Sequence, residues 1–295
     1  MSDATSLATR LATPDGRSLD LYLEGPADGT PLVFICGTPG SGLPFQPFVD
    51  SLAERGLRYV SWSRPGYGSS TRLPGRNVAQ VVDDATTVLD HLGADHCYVL
   101  GWSGGGPHAM ACAARLAGRV QAVATIGGVA PWPAEGLDWM AGMGDENIEE
   151  FNASLDGPDA LIEFKERNWP IFSKVTGQEM ADAFGDLIDE VDRGSLTGEF
   201  SDWVAATIRE GLREGYWGWF DDDMAFIKPW GFDLGAISVP VHIWQGAHDR
   251  MVPFAHGQWL AAHVGNSCAH LHEEHGHLSL AVDSIPQILD ELIAR

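Results

Sequence analysis

The sequence predicts an α/β fold in which helices flank a mostly parallel sheet of eight strands, with a helical cap inserted between two parts of the core. Two observations lead to this prediction. Between Leu32 and Val129, short runs rich in β-branched and aromatic residues alternate with longer helical patterns, which is typical of repeated β-α-β units. After Pro131 the alternation stops for about a hundred residues and resumes at Val239, as an insertion would cause.

The individual elements follow from the periodicity of the apolar residues. Parallel strands are predicted at Leu32–Cys36, Leu57–Trp62, Cys97–Gly101, Val120–Ile126, Val239–Gln245 and Ala269–Glu273. Helices are predicted at Pro44–Arg55, Val78–Leu92, Gly104–Ala117, Phe254–His263 and Leu278–Ile293. Two alternating stretches around Leu7–Leu11 and Ser18–Leu23 flank Pro14-Asp15-Gly16 and predict an antiparallel hairpin. We expect the core to comprise residues 1–130 and 236–295, and the cap residues 131–235.

Composition and charge narrow the function classes. The formal net charge is −23, which argues against a nucleic-acid partner because phosphate binding needs a concentrated basic face. The first twenty residues lack a charged segment followed by an apolar one, and no long apolar run is present, so we expect a cytoplasmic protein without a membrane partner. The four cysteines are scattered without a CxxC pair, which indicates reduced thiols rather than disulfides or a zinc site.

The inserted segment has its own composition. Residues 131–232 contain 23 acidic and 7 basic residues, and this segment holds seven of the eleven tryptophans. The acids are interpreted either as a solubilising surface or as a vestibule that attracts a cationic amine of a small-molecule substrate. The tryptophans either line an apolar pocket or form the core of the cap. Glu146, Glu149 and Glu150 are candidates for binding such an amine, and nothing in the sequence singles out one of them.

The strongest functional motif is Gly101-Trp102-Ser103-Gly104-Gly105, which matches G-x-S-x-G. It follows a predicted strand and precedes a predicted helix, where a strained turn projects the serine hydroxyl from the edge of the sheet. The flanking glycines let strand and helix approach each other. Ser103 is therefore the predicted nucleophile, and the backbone N–H of Gly104 is a predicted oxyanion donor. The glycine-rich loop at 36–42 is expected to supply the second donor, the N–H of Thr38.

With these motifs the sequence resembles the α/β-hydrolase superfamily, in particular its proline iminopeptidase and small-ester hydrolase branch. The motifs behind the resemblance are GTPG at 37–40, SRPGYGSS at 63–70, GWSGGGPHA at 101–109, GAHDRMVP at 246–253 and HGHLSL at 275–280. The resemblance covers both parts of the core and fades across the cap. Cys36 and Ser63 depart from the family, which often has His and Asp there. Epoxide hydrolases and haloalkane dehalogenases share the fold but use an aspartate nucleophile, so Ser103 argues against both.

A serine hydroxyl needs an imidazole to remove its proton and a carboxylate to orient that imidazole. In this fold the acid and then the histidine follow the serine along the chain. Asp249 comes directly after the strand VHIWQG and is the predicted acid. Four histidines fall at 270–277; His277 matches the family's Gly-His-hydrophobic pattern and is the predicted base, with His275 as the alternative. A zinc site is not expected from this cluster, because strand residues 270 and 272 only share a face.

These residues predict a serine hydrolase that cleaves an ester or amide bond of a small organic substrate through an acyl-enzyme on Ser103. No cofactor is expected. A proline iminopeptidase-like aminopeptidase is the first alternative. A second alternative is a cofactor-free dioxygenase or another non-hydrolytic enzyme of this fold, in which His277 and Asp249 act while Ser103 only positions the substrate. A non-catalytic binding protein is the third.

Overall fold

The sheet contains eight strands, seen in a computed structural model that describes residues 8–294. The strands are β1 Thr9–Ala12, β2 Ser18–Glu24, β3 Thr30–Ile35, β4 Leu57–Trp62, β5 Cys97–Trp102, β6 Val120–Ile126, β7 Val241–Gly246 and β8 Ser267–His272. Their order across the sheet is β1-β2-β4-β3-β5-β6-β7-β8. The pairs β1–β2 and β2–β4 are antiparallel and the others are parallel. The predicted fold class is confirmed. Leu7, the first residue of the predicted hairpin, lies outside the described residues.

Helices surround this sheet. They are α1 Gln46–Ala53, α2 Val81–Leu92, α3 Gly105–Arg115, α4 Asp145–Asp156, α5 Pro158–Phe172, α6 Met180–Phe184, α7 Glu190–Ser195, α8 Gly198–Gly211, α9 Trp217–Phe226, α10 Phe254–His263, α11 His277–Asp283 and α12 Ile285–Ile293. In the described part of the chain, no helix has both the length and the apolar character that crossing a bilayer requires.

The core lies on both faces of the sheet. Val33 and Ile35 of β3 belong to the cluster that includes residues of α2 and α3, whereas Leu32 and Phe34 belong to the opposite cluster with residues of α1 and α12. Because successive strand residues face opposite sides, a strand buried on both faces is apolar throughout. Each fully buried aliphatic side chain contributes about 1.5–3 kcal/mol. This packing fixes the sheet edge from which the site loops emerge.

Two predicted boundaries were wrong for the same physical reason. The predicted helix Leu278–Ile293 is in fact two helices, α11 and α12, separated at Ser284. Pro286 lies in the first turn of α12, and a proline ring excludes continuation of the preceding helix because it lacks an N–H and clashes with the previous turn. Strand β7 starts at Val241 rather than Val239, because Pro240 cannot donate to the ladder. Most other ends differ by one to a few residues.

The segment between β6 and β7 contains the six helices α4–α9. The division of the chain at residues 131 and 235 into core and cap stays a prediction. The parallel arrangement has a consequence for the site: the loops that follow β3, β5, β7 and β8 all start at the same edge of the sheet, which is where ligands bind in folds of this type.

Candidate active site

Ser103 occupies a strained turn between β5 and α3. Its φ angle is 54°, the only positive φ of a non-glycine residue among residues 8–294, and this conformation costs an L-residue about 1–2 kcal/mol. The turn is held in place because the N–H of Ser103 donates to the carbonyl of Ile126 at 2.8 Å. A Cβ on Gly105 would lie 2.0 Å from the carbonyl oxygen of Ile35. Gly105, the second residue after the serine, is therefore required by the close approach of helix and strand.

The loop after β3 lies against this turn. A Cβ on Gly37 would be 3.2 Å from Cβ of Ser103, and one on Gly104 would be 2.4 Å from Oγ1 of Thr38. Thr38 and Gly104, the two predicted oxyanion residues, are thus neighbours of each other and of Ser103. In the described part of the chain, their backbone N–H groups donate to no other protein group. Both donors are available to a substrate oxygen.

His277 and Asp249 form a buried pair. Nδ1 of His277 lies 2.7 Å from Oδ2 of Asp249. The other carboxylate oxygen of Asp249 accepts hydrogen bonds from the N–H groups of Met251 at 2.9 Å and Val252 at 2.7 Å. Gln245 donates to Oδ2 of Asp249 at 2.9 Å. These donors hold the carboxylate in one orientation, so the imidazole presents its Nε2 away from Asp249.

The basicity of His277 depends on two carboxylates. Burial alone would lower the pKa of His277, but the negative charge and hydrogen bond of Asp249, with a further contribution from Asp192, raise it above the usual value. Asp192 belongs to α7 and is fully buried. It accepts hydrogen bonds from the N–H groups of His277 at 2.8 Å, Leu278 at 3.0 Å and Ser279 at 2.9 Å. Asp192 therefore caps the helix that begins with His277.

The structure separates the two predicted bases. His275 lies 3.7 Å from Asp283, and within residues 8–294 no ion pair joins it to Asp249, which pairs with His277 instead. His277 and Ser103 line the same cavity. Within residues 8–294, no hydrogen bond joins Oγ of Ser103 to His277. Such bonds are commonly long in the absence of substrate and tighten in the Michaelis complex.

A buried ion network holds the Thr38 loop. Asp222 of α9 is fully buried and pairs with Arg64 at 2.5 Å and Arg76 at 2.7 Å. It also accepts hydrogen bonds from Oγ1 of Thr38 at 2.7 Å and from the Tyr67 hydroxyl at 2.8 Å. Burial would raise the pKa of Asp222, but the charges of Arg64 and Arg76 hold it well below its usual range. The side chain of Thr38 is thus fixed by a residue of the inserted segment.

Two cavities meet at Ser103. The first, which we call the acidic cavity, is lined by Ser103, Gly104, Glu146, Glu150, Trp219 and Asp223 among others, most of which are apolar. The second, the histidine cavity, is lined by Ser103, Trp102, His277, Leu278 and Met251 among others. Thr38 borders both. A substrate whose carbonyl lies at Ser103 can extend one group into each cavity.

At the acidic cavity, carboxyl groups outnumber the positive groups that could neutralise them. Lys165 is fully buried; its Nζ lies 2.5 Å from Glu150 and also contacts Asp223. Burial and the charge of Glu150 raise the pKa of Asp223 well above its usual value. Burial and the neighbouring carboxylates, chiefly that of Glu150, raise the pKa of Glu146 to about 7. One lysine therefore faces three carboxyl groups, and the raised pKa values of Asp223 and Glu146 mean that these two groups retain a proton or attract another positive group.

Of the three glutamates considered from the sequence, two reach this cavity. Glu146 and Glu150 line it, whereas Glu149 points outward and pairs with the exposed Arg167. Sequence reasoning missed Asp192, Asp222, Asp223 and Lys165. These four residues lie in helices of the inserted segment, and the sequence of a helix does not show which distant loop it will contact. No sequence pattern could therefore have identified them.

Comparisons with known proteins agree with this architecture. A family model described as "alpha/beta hydrolase fold" matches residues 30–169. The chain is 27% identical over 240 residues to the AB hydrolase superfamily protein YisY of Bacillus subtilis, covering 79% of this chain and 80% of that protein. It is 26% identical over 290 residues to the 2-hydroxy-6-oxononadienedioate/2-hydroxy-6-oxononatrienedioate hydrolase of Klebsiella pneumoniae, covering 95% and 93%.

Among solved structures, the esterase EaEST from Exiguobacterium antarcticum superposes with a TM-score of 0.70 at 19% identity, covering 97% of this chain and all of that one. At this identity the likeness concerns the fold. None of these three matches indicates the proline iminopeptidase branch specifically. The sheet order and these matches together show that the chain has an α/β-hydrolase fold.

Proposed function

We propose that the protein is a serine hydrolase that cleaves an ester or amide bond of a small organic substrate through an acyl-enzyme on Ser103. The observation that carries the proposal is the convergence at one sheet edge of a serine on a strained turn, a buried His277–Asp249 pair and two N–H groups without a partner among residues 8–294. The names of its relatives, which include hydrolases and an esterase, support a hydrolase.

The chemistry follows from the roles that these groups can perform. His277 removes the proton of Ser103 as the hydroxyl attacks the substrate carbonyl, and Asp249 stabilises the imidazolium that forms. The N–H groups of Thr38 and Gly104 stabilise the oxyanion. His277 then returns the proton to the leaving group, and a water activated by the same imidazole hydrolyses the acyl-enzyme.

The proton transfer from His277 to the leaving group determines the orientation of the substrate in the two cavities. Because His277 lines the histidine cavity and has to protonate the leaving group, the leaving group occupies that cavity. The acyl part then occupies the acidic cavity, beside Glu146 and Glu150. Carboxyl groups at that position disfavour an anionic acyl part such as a dicarboxylate.

The test is covalent labelling of the active serine. With a fluorophosphonate probe and mass spectrometry of the modified peptide, we expect one adduct on Ser103. Ser103→Ala should abolish labelling and reduce kcat for p-nitrophenyl esters on the order of 10⁶-fold, because the members of a triad act as a unit. Esterase activity that persists in Ser103→Ala would refute the proposal. Lack of an adduct on folded protein would also refute it, and oxygen consumption without an acyl-enzyme would then indicate a cofactor-free dioxygenase.

A second proposal concerns the acyl group. We infer that the acidic cavity selects an acyl part with a cationic amine, as in an aminoacyl ester or amide, which includes substrates of proline iminopeptidase-like aminopeptidases. The observation that favours it is the excess of carboxyl groups over the single Lys165 in this cavity. A substrate ammonium would take the place of the proton that these carboxyl groups otherwise retain.

Glu146→Gln tests this selection, because no ion pair within residues 8–294 joins Glu146 to a cation that the change would leave unpaired. Aminoacyl esters are compared with their N-acetyl counterparts. We expect KM for the free-amine substrate to rise about tenfold or more, the worth of one charge-assisted hydrogen bond, and KM for the acetylated substrate to stay unchanged. Glu149→Gln is the matched control, since Glu149 points to the exterior. Equal effects of the two variants, or no preference for the free amine, would contradict the inference.

A further inference from the structure

A second cluster of metal-binding residue types lies on the last two strands, apart from the catalytic loops. His242 of β7 and Cys268 and His270 of β8 form this cluster, which we call the edge cluster. In the parallel pairing of β7 with β8, His242 lies opposite Cys268 and Trp244 opposite His270. Alternate strand residues share a face, so all three side chains stand on the same side of the sheet. β8 is the last strand of the sheet.

The three donor atoms are already close together. One ring nitrogen from each imidazole and the sulfur of Cys268 all lie within 4.8 Å of one another. Nδ1 of His242 and Nε2 of His270 are 3.1 Å apart. An ion bound tetrahedrally with metal–nitrogen distances of about 2.0–2.1 Å separates its ligand nitrogens by about 3.3 Å. The two imidazoles therefore need to move by only a few tenths of an ångström.

The surroundings of the edge cluster favour the binding of a metal ion. One of the facing nitrogens of His242 and His270 has to accept the hydrogen bond between them, so at least one of the two rings is neutral and offers a lone pair. The ring of His270 stacks on Trp244, with centroids 4.0 Å apart and planes at 3°, and Trp244 is fully buried. This stacking fixes the orientation of the imidazole. Cys268 is exposed, whereas the other three cysteines are buried, so an ion can reach its thiol.

The donor set indicates the class of ion. Two nitrogens and one sulfur suit a borderline divalent ion such as Zn²⁺, while Mg²⁺ and Ca²⁺ require oxygen ligands. We propose that the edge cluster binds one zinc-class divalent ion through His242, Cys268 and His270, with the fourth position open to solvent. This assignment differs from the sequence expectation of no metal, because the ligands lie on two strands and only the pairing of β7 with β8 brings them together.

The expected role is structural. His242 and Cys268 are the second residues of their strands, while the catalytic loops start at the opposite ends. An ion here would join the edge strand β8 to β7. Since the loops after these two strands carry Asp249 and His277, the ion would stabilise the part of the sheet that holds the catalytic pair without touching it.

Cobalt binding provides the test. Tag-free protein treated with a chelator is titrated with Co²⁺, whose complex with a thiolate shows a sulfur-to-metal charge-transfer band. We expect one equivalent to bind, Zn²⁺ to displace it, and either ion to raise Tm. Cys268→Ser should abolish the band, and His270→Gln should weaken binding by about tenfold or more. His263→Gln is the matched control, because His263 is an exposed imidazole stacked on Trp259 instead.

Two further measurements distinguish loss of the metal site from a general effect of the mutations on the protein. Alkylation of Cys268 in the folded wild-type protein should abolish the band without any mutation, and ester hydrolysis by Cys268→Ser should equal that of the wild type. The proposal is overturned if folded protein gives no charge-transfer band, if the band survives in both Cys268→Ser and the alkylated protein, or if Tm does not rise with either ion. A band that survives would place the ion elsewhere. These readouts are independent of the function proposed for Ser103.

Discussion

At the scale of single residues, a glycine packs directly against the side chains of the candidate site. Gly127, directly after β6, has a φ of +56°, and a Cβ there would lie 2.7 Å from Nδ1 of His277 and 3.0 Å from Oδ2 of Asp249. The main chain thus touches both members of the pair. Together with the strained Ser103, this contact shows that the positions of Ser103, His277 and Asp249 depend on the backbone as much as on side chains.

Gly127→Ala tests this dependence. The added methyl group would separate His277 from Asp249, and a displacement of about 1 Å can cost about 100-fold in rate, so we expect kcat to fall by about that factor. Gly136→Ala is the matched control, because Gly136 has a φ of +81° and nothing within 4 Å of the added Cβ. Gly136→Ala should lose about 1–2 kcal/mol of stability from its φ alone, measured by urea unfolding, and should keep its kcat. Gly127→Ala should lose more stability, because its methyl group also clashes with the buried pair. Equal kcat values for the two variants would contradict the argument.

At the scale of elements, the junction of α7 with α11 connects the inserted segment to His277, the proposed base. Asp192 of α7 accepts the first N–H groups of α11, where a carboxylate also interacts favourably with the helix dipole. A Cβ on Gly276 would lie 2.4 Å from Oδ1 of Asp192, so only a glycine fits before the helix. The orientation of His277 therefore depends on a helix that is distant in sequence.

Asp192→Asn separates this positioning role from simple support of the fold. In the proposed mechanism neutral His277 is the base, so kcat/KM should rise with pH through the pKa of His277, which lies above its usual value. Removing the negative charge of Asp192 lowers that pKa, and the acidic limb of the pH profile should move to lower pH. Asp189→Asn is the control, because Asp189 caps α7 itself. A profile that stays in place in Asp192→Asn, or moves equally in both variants, would refute the role.

The sequence predicted the core elements and the catalytic candidates because each carries a local signal. Ser103 lies between glycines that only a tight turn requires, and Asp249 and His277 each follow a recognisable strand or glycine. Asp192 and Lys165 had no such signal, since their partners lie far away in the chain. The break before α12 was missed for a different reason: the apolar periodicity continues through Pro286, and periodicity alone does not detect the lost N–H.

At the scale of the whole molecule, a buried ion network ties the inserted segment to the core. Asp222 of α9 meets Arg64 and Arg76, which follow β4, and Arg64 also donates to the carbonyl of Gly37 at 3.0 Å. A pair of charges buried in this way contributes little net stability compared with apolar packing, but loss of one partner leaves the others uncompensated. The network therefore makes the Thr38 loop and the inserted segment depend on each other.

Asp222→Ala and Asp221→Ala form a matched pair that measures this dependence. Asp222→Ala leaves two arginines buried without a counter-charge and should lower the free energy of unfolding by about 3–5 kcal/mol. The adjacent Asp221 pairs with Arg72, whose side chain is 30% exposed, so Arg72 can be hydrated after Asp221→Ala and the loss should be about 1 kcal/mol. Urea unfolding of both variants gives the two values. Because the network also holds Thr38, esterase kcat of Asp222→Ala should fall under conditions where the variant remains folded, whereas that of Asp221→Ala should not. Similar losses of stability and of kcat in both variants would show that the Thr38 loop does not depend on this network.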